Sequence, residues 1–211
     1  MRTKTLLLAV AALAAGVISS EAQNVYSQNV VGYINVPLPA GQQVLVCNPL
    51  DDGTNTVTSL GSQLANKSQI QVWNGTGYTG TSKGGGVWTS PNLSIPVGTG
   101  FFIKSQTTIT NTFVGNVVAP SGGTSTTNFP AGTLVLVGEQ IPYGGDLNDT
   151  TNVNLGSTLA NKSQIQVWNG VGFSGASKGG GTWTTNLTIT PAEGFFVKSQ
   201  TATNWVQTAD Y

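Results

Sequence analysis

A glutamine and three aromatic rings occur twice along this chain in the same order: Gln71, Trp73, Tyr78 and Trp88, then Gln166, Trp168, Phe173 and Trp183. Aromatic rings pack on the C–H-rich faces of sugars, and amides hydrogen-bond hydroxyls. Each set therefore suits an uncharged polyol and needs no catalytic group. These eight are the expected ligand-binding residues, and two such patches would add avidity on a polymer. A second reading stands beside this one: Trp often fills the interior of a β-sandwich, and if both faces of these strands are covered, the indoles are packing residues. Phe101, Phe102, Phe195 and Phe196 read as core.

Other routes to chemistry are narrow. The chain has no His, which excludes a Ser-His-Asp or Cys-His arrangement and a His-based metal site. Paired carboxylates remain as a route to hydrolysis. Asp51 and Asp146 match between the copies, but Asp52 faces Leu147, Glu193 faces Thr99, and Glu139 has no acidic counterpart. The loops Asp51-Asp52-Gly53-Thr54-Asn55 and Asp146-Leu147-Asn148-Asp149 offer oxygen ligands for Ca²⁺ without the spaced twelve-residue pattern, and Asx-rich turns are the commoner use of such loops. Cys47 ends an apolar run, has no disulfide partner and faces Gly138, so it reads as a small buried hydrophobe rather than a nucleophile. Lys67, Lys83 and Lys104 recur as Lys162, Lys178 and Lys198, as duplication of solubilising lysines would give. No enzyme activity, cofactor or metal is expected.

The elements that must position the aromatic sets come from a duplication. Residues 60–89 return at 155–184 with 24 of 30 positions unchanged, at a separation of roughly 90 residues, which marks two copies of one domain-sized unit. Gln69–Trp73 alternates, placing Ile70 and Val72 on one face and Gln69, Gln71 and Trp73 on the other. Asn74-Gly75 then signals a hairpin returning through Gly77-Tyr78-Thr79; the second copy repeats this with Gln164–Trp168 and Asn169-Gly170. Strands are also expected at residues 30–36, at Gln43–Cys47 and 134–138, at a short segment around Trp88 or Trp183, and at Gly100–Lys104 and 194–198. Brief helical turns are expected around 59–65 and 154–160. The fold class is all-β, with two tandem homologous sandwich-like or barrel-like lobes. Repeat 1 spans 23–118, a linker 119–128, and repeat 2 129–211. Val30-Val31-Gly32, Phe113-Val114-Gly115 and Trp205-Val206-Gln207 share a signature, a hint that the copies share or exchange edge strands.

Residues 1–22 read as a secretory signal peptide: Arg2 and Lys4, an apolar run over 6–18, then Ser20-Glu21-Ala22. Without that leader, six lysines face seven acids, and charged residues are only 8% of the chain against a typical ~25%. No basic surface is available for nucleic acid or anionic lipid, and no later apolar stretch is long enough to span a bilayer. The expected location is secreted or cell envelope. The expected partner is a polysaccharide or cell-surface glycan; the alternative is a structural or adhesive envelope protein that self-associates.

The opening Asn24-Val25-Tyr26-Ser27-Gln28-Asn29-Val30-Val31-Gly32-Tyr33-Ile34-Asn35-Val36, the Leu38-Pro39-Ala40-Gly41 that follows, Val72-Trp73-Asn74-Gly75-Thr76-Gly77-Tyr78 and Gly100-Phe101-Phe102 together resemble uncharacterised secreted verrucomicrobial repeat proteins. The resemblance covers most of the mature chain. It implies an envelope or extracellular location and supplies no activity.

Overall fold

The computed structural model describes residues 31–119 and 122–210; the expected leader and mature start lie outside them. The chain is all-β, and each half holds a two-stranded ribbon and a five-stranded sheet. In the first half β1 (Val31–Leu38) pairs with β7 (Ile109–Asn116). The sheet of that half runs β2 (Gln43–Cys47), β6 (Gly100–Lys104), β3 (Gln69–Trp73), β4 (Tyr78–Gly84), β5 (Val87–Trp88). The second half repeats this: β8 (Thr124–Phe129) pairs with β16 (Thr203–Thr208), and its sheet runs β9 (Leu134–Val137), β15 (Phe195–Lys198), β11 (Gln164–Trp168), β12 (Phe173–Gly179), β13 (Thr182–Trp183). A small extra pair, β10 (Gly145–Asp146) with β14 (Thr188–Ile189), belongs to the second half.

Each ribbon is closed by strands of its own half, so the copies do not exchange edge strands. Two sequence expectations fail together here. Residues 124–128 of the linker-like segment 119–128 belong to strand β8, Thr124–Phe129; its composition resembles a linker because both faces before Phe129 carry only Ser, Thr and Asn. Equating Trp205-Val206-Gln207 with Phe113-Val114-Gly115 is also two residues out of step. In the ribbons Ile109 pairs with Leu38 and Thr203 with Phe129, which makes Asn111 the counterpart of Trp205 and Phe113 that of Gln207. A slip of two residues keeps the same strand face, and alternation alone cannot detect it.

Each half has one short helical turn, α1 (Val57–Leu60) against β5 and α2 (Leu155–Thr158) against β16. Thr56 starts α1 with a reciprocal capping box through Ser59, while α2 begins at Asn154 in the left-handed region, φ 52°. Paired lysines close the turns that follow. The Lys83 ammonium donates to the carbonyls of Ser62 at 3.0 Å and Leu64 at 2.8 Å, and Lys178 donates to Gly156 and Leu159.

Both hairpin predictions hold in outline, with the return strands starting at Tyr78 and Phe173. Trp73 pairs with Tyr78 across a four-residue loop, and the Asn74 carboxamide oxygen accepts from the Thr76 and Gly77 amides. This Asx closure organises the loop in place of a two-residue turn.

Beside a small cluster of Ala119, Ile141 and Ala209, alternation divides the interior into three larger parts. Ile70, Val72, Trp88, Phe101, Ile103 and Phe113 belong to the first half's core, and Ile165, Trp183, Phe195, Val197 and Trp205 to the second's. Between the halves lies a third cluster, Leu45, Phe102, Leu136 and Phe196, with Trp73, Leu134 and Trp168 packed against it. Strands β2, β6, β9 and β15 are thus covered on both faces, which is why they read as continuous apolar runs such as Val44-Leu45-Val46 and Phe101-Phe102-Ile103.

Candidate functional site

The two halves meet about a pseudo-two-fold axis, shown by bonds that come in matched pairs. The Trp73 indole N–H donates to the Leu134 carbonyl at 3.2 Å, and the Trp168 indole N–H to the Gln43 carbonyl at 2.9 Å. Cys47 N–H donates to Ala192 O at 2.9 Å, and Gly138 N–H to Gly98 O at 2.9 Å. Bridges Val46–Glu193 and Thr99–Val137 obey the same relation.

Six rings close a circuit around that axis. Centroids lie 5.1 Å apart for Trp73–Tyr78, 5.7 Å for Tyr78–Phe102, 5.4 Å for Phe102–Trp168, 5.0 Å for Trp168–Phe173, 5.5 Å for Phe173–Phe196 and 5.5 Å for Phe196–Trp73. All six contacts are edge-to-face, the geometry the ring quadrupole favours. The two expected patches therefore merge into one cluster that joins the halves. Trp73 and Trp168 are half-buried within it, and only Tyr78 and Phe173 show much surface, 43% each. Burial raises the Tyr78 phenol above its ordinary value.

Trp88 and Trp183 part from this group. They are 3% and 8% exposed and belong to the two separate cores, so neither is a ligand contact. The two-residue strands β5 and β13 turn Trp inward and Val87 or Thr182 outward. Gln71 and Gln166 are half-buried on the face turned to the other half, and the Gln71 side chain accepts from the Gln43 carboxamide at 3.2 Å.

Beside the ring circuit lies a groove of about 570 Å³, bounded by β1 and β2 of the first half and by Trp168, Gly170 and residues 190–193 of the second. Ile34, Val36, Val44 and Pro191 supply its apolar lining, and Asn35, Gln42, Gln43 and Thr190 its hydrogen-bonding groups. Its one acid, Glu193, accepts through Oε2 from the Thr190 amide and hydroxyl, each at 2.9 Å. The matching place across the pseudo-axis is crossed by Gln140, which accepts from the Ser125 hydroxyl and lies so close over Gly98 that a Cβ there would meet its Cγ at 2.5 Å. At the open groove Ile34 and Pro49 of the first half and Ala192 of the second stand where the closed place has Ser125, Gln140 and Gly98. Of the eight expected residues only Trp168 lines it. Most of the others that do so carry no repeat signal, because these positions are where the copies diverge.

The remaining candidates have structural roles. Asp51 accepts from the Gly53 amide and the Asn55 carboxamide, and Asp52 from the Thr54 and Asn55 amides. Burial pulls the Asp52 carboxyl upward, but these hydrogen bonds outweigh it and hold the group below its ordinary value. Such loops are Asx turns, and no cluster of three metal-ligating side chains occurs among the described residues. Cys47 is fully buried, and burial together with the charges of Glu139 and Glu193 pushes its thiol far above the usual range, leaving it inert.

Glu139 is 1% exposed; Oε2 accepts from the Gly144 amide at 2.8 Å and Oε1 has no partner. Burial, with the charges of Asp149 and Glu193, pushes its carboxyl up to about 7.

No family model, curated protein or solved structure matches this chain.

Proposed function

We propose that this chain is an exported, non-catalytic binding protein that holds a neutral polymer, a glycan by its chemistry, in the single groove between β1, β2 and the second half. The observation that carries this is the groove's lining: amides and a hydroxyl for polar contacts, an indole and aliphatic side chains for ring faces, and no free charge. Its volume falls within the range of small-ligand sites, and it sits at a boundary between halves, where such sites concentrate. Glu193, the groove's one acid, is already held by the Thr190 amide and hydroxyl, which supports binding without turnover. The avidity expected of two patches gives way to one site per chain, because the tryptophans that were to form the patches join the halves instead.

The test is binding of the full-length secreted chain to a polysaccharide panel, followed by calorimetric titration with the best ligand. One site per chain is expected, weakened at least tenfold by Asn35→Ala or Gln42→Ala and unaffected by the matched Thr126→Ala or Thr133→Ala. No binding across the panel, or equal losses from both halves, contradicts the reading.

A further inference from the structure

The ribbon of the first half has an open edge. Asn116 of β7 exchanges both backbone bonds with Asp51 at 2.8 Å, and Thr112 gives and takes bonds with the Gln63 carboxamide at 3.3 and 3.0 Å. Both residues therefore point their backbone groups away from β1. Their partners across the ribbon, Val31 and Asn35, must turn N–H and C=O outward in the same way, and by alternation so must Tyr33 and Pro37. Pro37 fits mid-ribbon for this reason, since its missing N–H falls on the unpaired side. None of these outward groups has a partner among the described residues.

Edges of this kind are normally blunted by charge, yet neither β1 nor β7 carries a charged residue. The exposed face is apolar instead. Tyr33 is 72% exposed, Val31 55% and Val114, directly across from Tyr33, 44%. In the second half, Thr124 and Thr208 take the places of Tyr33 and Val114.

We propose that β1 is a self-association edge, at which two copies of this chain pair antiparallel about a two-fold axis through Tyr33. The edge is complementary to itself. Tyr33 exchanges both backbone bonds with Tyr33 of the second copy, and Val31 with Asn35, so every outward donor and acceptor over this stretch is satisfied. The two phenol rings lie opposite one another on one face, a favourable cross-strand pair, and no like charges oppose the contact. Pairing β1 with β8 of another copy would leave the tyrosine against threonines, so the closed dimer is favoured over an open chain. A strand-pair contact is smaller than a standard interface, which makes the dimer concentration-dependent. The groove takes Asn35 from the same strand, so the dimer is measured without glycan.

Sedimentation velocity of the full-length secreted chain, from low micromolar to near-millimolar, tests it. The expected result is a mass that rises with concentration and levels off at the dimer. Tyr33→Lys, which sets two ammonium groups face to face, and Tyr33→Pro, which removes an outward N–H without touching the β1–β7 ladder, should each raise the midpoint at least tenfold. Both should melt as the wild type does at low concentration, and Thr124→Lys should leave the midpoint unchanged. A monomer at every concentration, growth past the dimer, or a dimer indifferent to both Tyr33 variants overturns it.

Discussion

The halves of this molecule differ most tellingly where they touch or close. On the pseudo-axis Cys47 meets Gly138, its own counterpart, where an added Cβ would lie 2.2 Å from the Cys47 Cβ. Two identical residues cannot both place a side chain there, so one keeps the thiol and the other gives up its Cβ. One residue further on, Asn48 in the first half donates to Asn55 at 2.9 Å and Ile95 at 2.8 Å, while Glu139 in the second keeps one oxygen unpaired. In the closing strands Asn111 is buried with both amide atoms unpartnered, but Trp205 donates its indole N–H to Val153 at 2.6 Å and stacks on Phe129. A duplicated unit that packs against itself thus differs between its copies at contact and closing positions, and the repeat's identity elsewhere conceals it.

Exchanging residues between matched positions breaks this comparison. The largest effect is expected from Trp205→Asn, which installs the first half's residue in the second half's core and should cost about 4 kcal/mol in urea unfolding. A cost under about 1 kcal/mol would mean that the two closing strands tolerate the same side chains.

Glu139→Gln comes next. The folded-state carboxyl sits at about 7, above its ordinary 4.5, so the folded chain holds this proton more tightly than the unfolded chain does. The stability it contributes is complete below about pH 4.5 and is lost as pH rises through about 7. The variant should remove about 3 kcal/mol of that pH dependence and be the more stable form at about pH 8. Parallel stability–pH curves for the two proteins would refute the assignment.

A smaller loss, about 2 kcal/mol from overpacking, is expected for Gly138→Cys. Adding Cys47→Gly should return most of it, since the side chain then simply changes sides of the axis. An undiminished loss in the double variant would count against the pseudo-two-fold.

Much of the fold was legible because it rests on local rules. The alternation of Gln69–Trp73, the Asn74-Gly75 turn and the repeat itself lead to the strands and the two similar lobes that are observed. What stayed hidden was which surface each strand face meets. Burial on both faces looks the same in sequence whether the second cover is the same half or the other one, so Trp73 and Trp168 read equally well as an outward platform. Strand β8 was masked by the Ser, Thr and Asn on both its faces, and the correspondence of Asn111 to Trp205 by the two-residue period. The groove depends on Ile34, Pro49 and Ala192, whose only signal is that they depart from their counterparts.

The central claim is that the hairpin tryptophans hold the halves together, and a double-mutant cycle between Trp73→Ala and Phe196→Ala tests it most directly. These residues belong to different repeats, and their rings lie 5.5 Å apart. The structure predicts a coupling energy of about 1 kcal/mol in equilibrium unfolding. Strict additivity of the two losses would place the rings out of contact and contradict it.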